Sequence, residues 1–361
     1  QNFLNDYYKF DQISPFAAAV INKGTIIAAE HGLVALMGNA VSNEGIIEAN
    51  MGKVVMASGE AFTMSFAGNE MISFVVDEKT LQTSVDENGN IIRDGVKNTG
   101  TIMANGGQVQ IHAKAASGVL DNVINMEGYV QANSIQEVNG EIYLVADNTE
   151  ANTVVRVAGT MKTKGDDTGE TGGNITVLGH NILLDQTALL DASGDAGAGN
   201  IWIGGSYQGV GPLPNANAVI MAPNAIINAD AITNGNGGEV ILWSDNATRA
   251  YGSIFARGGA LGGNGGLVET SAHYLDVNGI TVSTSAPHGL FGEWLIDPTN
   301  VEISSDVNSG TFDTTLDTIA WGAYPASGSL WVNPNDRDPG PSIINTTLLV
   351  DALNLGNVRV T

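Results

Sequence analysis

The stretch Gly45-Ile46-Ile47-Glu48-Ala49-Asn50-Met51-Gly52-Lys53-Val54-Val55-Met56 sets two short apolar alternations one after the other, divided by a polar turn. Its first half reads Gly-x-[Ile/Val]-x-Ala. The same pattern recurs at Gly24, Gly100, Gly128 and Gly252, with a weaker copy at Gly159-Thr160-Met161-Lys162-Thr163. Three copies follow a Val-x-Asn lead, at Val20, Val41 and Val96. The second half reads Gly-x-apolar-x-apolar and starts at Gly32, Gly52, Gly107, Gly140, Gly173, Gly199, Gly238, Gly266 and Gly292. The steps between those glycines are 20, 55, 33, 33, 26, 39, 28 and 26 residues.

Side chains alternate faces along a strand, so positions three and five of each copy share a face. Those positions hold Val34/Leu36, Val54/Met56, Val109/Ile111, Ile142/Leu144, Ile175/Val177, Ile201/Ile203, Val240/Leu242, Val268/Thr270 and Trp294/Ile296. The positions between them include Lys53, Gln108, Gln110, Glu141, Asn174, Asn200, Glu239, Glu269 and Glu293. Short strands in a loose 20–40-residue repeat, with no helical period between them, predict a solenoid of β-coils. Gly and Asn suit the corners because both tolerate positive φ. About ten coils stacked ~4.8 Å apart would make a body roughly 50 Å long. Each buried Val or Ile would contribute roughly 1.5–3 kcal/mol before conformational entropy is subtracted.

The 55-residue step predicts an insertion at about 57–95. Within it, Ala61–Phe66 and Met71–Val76, joined by Ala67-Gly68-Asn69, read as a hairpin packed on the solenoid. The pattern thus divides the chain into coils over 1–298 and a segment 299–361 that turns rich in Ser, Asp and Pro. A short helix is expected over 345–355, capped by Asn345 and ended by Gly356, leading into a further strand at 357–361.

With 14 Lys+Arg against 38 Asp+Glu, the net charge is −24, and the pI of about 4.2 leaves no basic stripe for nucleic acid. Anionic membranes would repel the chain, and no apolar run reaches the ~18–20 residues of a membrane helix, so no membrane insertion is expected. Hydrophobic residues make up 43% and charged ones only 14%, which favours a core over disorder. The absence of cysteine removes disulfides, thiolate metal sites and cysteine nucleophiles. Residues 1–20 carry no basic segment followed by an apolar one, and the chain reads as a processed or excised piece.

Gly24-Thr25-Ile26-Ile27-Ala28-Ala29 running into Gly32-Leu33-Val34-Ala35-Leu36 resembles the filamentous-haemagglutinin-like exoproteins of two-partner secretion. So do Gly45 to Ala57, which continues into Ser58-Gly59-Glu60-Ala61-Phe62, Gly265-Gly266-Leu267-Val268-Glu269-Thr270-Ser271 and Trp294-Leu295-Ile296-Asp297-Pro298 with Asn300-Val301. The resemblance implies an all-β, right-handed parallel β-helix exported through an outer-membrane β-barrel transporter, secreted or displayed on a Gram-negative cell. It also implies that about 1–95 is the remainder of an export domain. The Asn-Pro-Asn-Gly motifs that open that domain in the family are missing; Asn333-Pro334-Asn335-Asp336 lies in the irregular tail.

No motif for nucleophilic, phosphate-binding or dinucleotide chemistry is present, and His31, His112, His180, His273 and His288 show no metal-ligand spacing. Asp166, Asp167 and Glu170 sit in a Gly-rich turn, where they read either as solvated corner residues or as a calcium site; no other cofactor is expected. Tyr143, Trp202, Ile241 and Leu295 are apolar at positions that should face solvent. They read as a stripe for a receptor or glycan, or as residues covered by a long loop. The function expected is therefore non-catalytic: an adhesin or extracellular structural fibre, with copies stacking head to tail. The alternatives are a binding module that captures a host or nutrient protein through loops, and a polysaccharide-degrading β-helix enzyme.

Overall fold

The computed structural model describes residues 7–12, 16–67, 70–277, 279–305 and 341–361. Asn333–Asp336 lies outside them. The chain winds as a right-handed parallel β-helix whose coils visit three sheets in turn. Sheet 1 begins with Ala19–Asn22, Ala40–Asn43 and Asp94–Asn98, the strands of the Val-x-Asn leads. Sheet 2 consists of three-residue strands from Thr25–Ile27 to Thr281–Ser283. Sheet 3 takes all nine Gly-led copies, from Leu33–Gly38 to Glu293–Pro298, and adds Asn357–Val360.

Parallel register stacks like on like. The inner row of sheet 2 runs Ile26, Ile47, Ile102, Val130, Met161, Leu190, Ile227, Ile254, Val282. The inner row of sheet 3 runs Val34, Val54, Val109, Ile142, Ile175, Ile201, Val240, Val268, Trp294, Val358. All but the terminal members Ile26 and Val358 are buried. Stacking removes the apolar face of each strand from water, which no single coil could do alone.

The corners explain the motifs. Asn22 Nδ2 donates to Asn43 Oδ1 (2.8 Å), Asn43 Nδ2 donates to Asn98 Oδ1 (2.8 Å), and Asn98 Nδ2 donates to the Gly100 carbonyl (3.3 Å). The Val-x-Asn lead is thus a hydrogen-bonded ladder satisfying buried amides between sheets 1 and 2. At Gly45 and Gly100 a Cβ would run into the carbonyl of the preceding coil's glycine, so only glycine fits there.

The inserted segment folds outward. Ala61–Ala67 and Glu70–Glu78 pair antiparallel, and Tyr7–Phe10 adds to the free side of the first strand. Near the other end, Val301–Ser304 pairs with Ser342–Asn345, and a helix follows at Thr346–Leu353. Asn345 Oδ1 accepts from the Thr347 N–H (2.8 Å), which satisfies one of the helix's unpaired donors.

Candidate functional site

The outward residues of sheet 3 form a second row: Ala35, Val55, Gln110, Tyr143, Thr176, Trp202, Ile241, Glu269, Leu295, Arg359. Every residue suspected as a contact in the sequence lies on this row. Two separate pieces of chain cover its ends and leave a window between.

The hairpin covers the first end. Phe62, Met64, Met71 and Phe74 close over Val55 and Ala57. His112, on the neighbouring outward row, packs with its ring centroid 5.3 Å from that of Phe74. Its Nε2 has no hydrogen-bond partner, and burial pushes its pKa down to about 4. The imidazole is therefore neutral at pH 7 and behaves as a packing group.

The loop 204–215 covers the other end. Gly204, Gly205 and Gly209 all adopt positive φ or approach Trp243 so closely that a Cβ would strike it. The backbone consequently lies flat on the indole. The Gln208 N–H donates to both carboxylate oxygens of Glu269 (3.2 and 3.0 Å), and Ser271 Oγ donates to Glu269 Oε1 (2.7 Å). Arg359 Nη2 donates to the Tyr207 hydroxyl (2.8 Å) and pairs with Glu293 (3.0 Å). Burial raises the Glu269 pKa above the usual carboxylate range, with Asp297 and Glu239 adding like charge, while the bonds from Gln208 and Ser271 oppose the shift.

The four suspected contact residues separate accordingly. Ile241 and Leu295 are 0% exposed, so as surface contacts they are corrected: they lie on the row's covered end, where the loop is pinned at Glu269 and Arg359. Tyr143 and Trp202 are half-buried in the window. Trp202 Nε1 donates to Glu239 Oε1 (2.7 Å), and burial first, then the Glu141 carboxylate, raises the Tyr143 pKa to about 12. Alongside runs a polar row of Gln108, Glu141, Asn174, Asn200 and Glu239. Aromatic faces flanked by fixed acceptors suit a ligand with an apolar face and hydroxyl or amide donors.

The acidic turn does not converge on a point. Glu170 is buried and accepts from the backbone N–H of Gln136 (2.6 Å) and of Asp167 (3.1 Å). Asp166 pairs with Lys164 (2.5 Å) and accepts from Asn133 Nδ2 (2.8 Å). Among the described residues, no group of three His, Asp or Glu could hold a metal ion. The carboxylates instead tie one Gly-rich corner to its neighbours.

Neither His112 nor Glu269 stands out as a site residue in the sequence, since each is one polar residue in an alternating strand. For Glu269 there was a signal: the 39-residue step after Gly199 contains Gly204-Gly205-Ser206-Tyr207-Gln208-Gly209-Val210-Gly211-Pro212, far longer than a corner.

No family model matches the chain. A crystal structure of the HMW1 secretion domain from Haemophilus influenzae is similar over 82% of this chain and 71% of that one, with a TM-score of 0.63 and 25% identity. In fold and in sequence the chain is similar to the exoproteins of two-partner secretion. Two heme/hemopexin-binding proteins of Haemophilus influenzae are also similar. One is 31% identical over 166 residues, 44% of this chain, and the other 30% identical over 115 residues, 32% of it. The chain matches 17% and 11% of their respective lengths, so it spans a small part of each.

Proposed function

We propose that this chain is a non-catalytic body that an outer-membrane β-barrel transporter delivers to the outside of a Gram-negative cell, where it serves in adhesion or as extracellular structure. The observation that carries the reading is the likeness to the HMW1 secretion domain across most of the chain. The fold fits such a route. Each coil pairs mainly with the coil before it, so structure can grow as the chain emerges, and without cysteine no disulfide can form in the periplasm beforehand. The test places the chain behind a secretory leader in a Gram-negative host, with and without the β-barrel transporter encoded by the same genome. Release into the medium only with the transporter is expected. Periplasmic retention in its presence, or equal release in its absence, would contradict the proposal.

End-to-end stacking of copies is the finer form of this reading. Leu33–Gly38 at one end and Asn357–Val360 at the other are each paired on one side only among the described residues. Light scattering across salt concentrations would show growth if those edges meet, and a constant monomer mass if they do not.

A second reading is capture of a host or nutrient protein. The window at Tyr143 and Trp202 supports it, as do the names of the two heme/hemopexin-binding relatives. Replacing Tyr143 and Trp202 together by Ser would abolish capture while leaving export intact.

A further inference from the structure

Sheet 2 turns a different face to solvent, and its outward rows are unlike those of sheet 3. One row runs Lys162, Asp191, Asn228, Phe255, Ser283. Two residues further along each coil stand Lys164, Ser193, Asp230, Arg257 and Ser285. Between these rows and the Gly-rich corners beside them lies a shallow groove of about 500 Å³, lined by Lys164, Asp191, Asn228, Asp230, Arg257 and Ser285 among others.

The groove is built from locked parts. Asp230 is buried; its Oδ2 accepts from Arg257 Nε (3.0 Å) and Nη2 (2.6 Å), and its Oδ1 accepts from the Arg257 N–H (2.7 Å). The same guanidinium lies 4.9 Å from the Phe255 ring centroid. With one edge held by Asp230 and one face on the ring, its Nη1 remains a fixed donor on a side chain that is 48% exposed. Asp191 Oδ1 accepts from the Ser193 N–H (3.0 Å) and from Asn228 Nδ2 (3.2 Å), which orients both side chains without consuming the second carboxylate oxygen.

We propose that this groove binds a neutral oligosaccharide lying along the solenoid axis. Donors and acceptors alternate from Lys164 to Ser285 over four inter-coil steps, about 19 Å at strand spacing, which is room for a short run of sugar rings. Hydroxyls, which both donate and accept, match such an alternating row. The neighbouring Ala231, Ile232 and Pro287 offer small apolar contacts for sugar C–H faces. Of the residues lining the groove, Lys164 and Arg257 are each paired with a carboxylate, and the net charge of −24 further disfavours an acidic chain. The proposal needs only the fold and stands apart from the export reading.

The test titrates the intact chain with cellotetraose, maltotetraose, mannotetraose and chitotetraose, and with tetragalacturonate as the acidic control, followed by NMR or calorimetry. At least one neutral tetrasaccharide should bind, and Asn228→Ala should weaken it about tenfold, the equivalent of ~1.4 kcal/mol. Asp191→Asn removes the acceptor while keeping the shape and should weaken binding similarly. Asp191 makes no bond to the Asp230–Arg257 pair, whereas Asn228 Oδ1 accepts from the Asp230 N–H (3.2 Å), so melting curves check both variants and Asp191→Asn is the cleaner of the two. Tyr143→Ser with Trp202→Ser, on the other face, should leave sugar binding unchanged. Binding of none of the four neutral sugars would overturn the proposal. So would preference for the galacturonate, or affinity unaltered in Asn228→Ala and Asp191→Asn.

Discussion

The hairpin 61–78 and the loop 204–215 both keep water from the outer face of sheet 3, the first with side chains and the second with backbone. Under the hairpin, Phe62, Met64, Met71 and Phe74 form an apolar layer, and His112, packed against Phe74, is neutral. Under the loop, glycines bring peptide groups down onto Trp243, and the polar group beneath, Glu269, receives a backbone N–H. A regular cover can bury area and needs few hydrogen bonds. An irregular one must find partners for its own amides: Glu269 accepts the Gln208 N–H, while Arg359 holds the loop by the Tyr207 hydroxyl. The two covers should therefore respond differently to truncation and oppositely to pH.

The largest effect belongs to the dry cover. Phe74→Ala should cost about 3–5 kcal/mol in denaturant unfolding, since it empties a space between the hairpin and His112. A cost below about 1 kcal/mol would mean that the hairpin adds little to the fold. Next comes the pH response of His112. Its pKa falls from 6.5 toward about 4 on folding, so below pH 6.5 the unfolded chain takes up a proton that the native chain refuses. Stability is lost progressively as pH drops through that window, at up to about 1.4 kcal/mol per unit. His112→Gln should flatten the slope relative to wild type in melts at pH 7, 5.5 and 4.5.

Gly209→Ala should lift the loop, because φ is 63° there and the new Cβ meets the Trp243 ring. We expect a loss of about 1–3 kcal/mol and a red shift of tryptophan emission as Trp243 is wetted. Unchanged emission would show that the loop does not rest on the indole. Glu269→Gln should act in the other direction. Its raised pKa means that the native chain holds a proton more tightly than the unfolded one, so stability falls as pH rises through the native pKa. Glutamine removes the buried charge and keeps an acceptor for Gln208. It should raise stability at pH 7, with the gain shrinking toward pH 4. The smallest effect concerns the acidic turn. Asp166→Asn with Asp167→Asn should leave the melting temperature unchanged with calcium or with chelator, whereas a calcium-dependent rise in wild type alone would restore a metal site there.

What the residues disclosed in advance follows the same division. Rung positions in sheet 3 were legible because each begins at a glycine and alternates cleanly, from Val34/Leu36 to Trp294/Ile296. Sheet 2 was legible only where its corner is two residues long. At Ala188 and Ala225 the corner is a four-residue turn, closed by the Ala188 N–H on the Asp185 carbonyl (2.9 Å) and the Ala225 N–H on the Ala222 carbonyl (3.2 Å). Alanine fits there, so Leu189–Asp191 and Ile226–Asn228 escaped a pattern keyed on glycine. For Ile241 and Leu295 the alternation left two readings, a contact stripe or cover by a long loop; burial bears out the second, and what pins the loop is Glu269 and Arg359, 61 and 152 residues from their loop partners. Alternation reports which face a residue takes and not what lies above it.

Hydrogen exchange measured peptide by peptide on the intact chain tests the account most directly, since it reads the coils and both covers at once. Slowest exchange is expected in the rungs 108–113, 141–146 and 174–178, strong protection in 61–67, and faster exchange across 205–215 than in the hairpin, with the Gln208 amide, held on Glu269, the slowest of the loop. Protection of the loop equal to that of the hairpin, or exchange in the rungs as fast as in the loop, would contradict it.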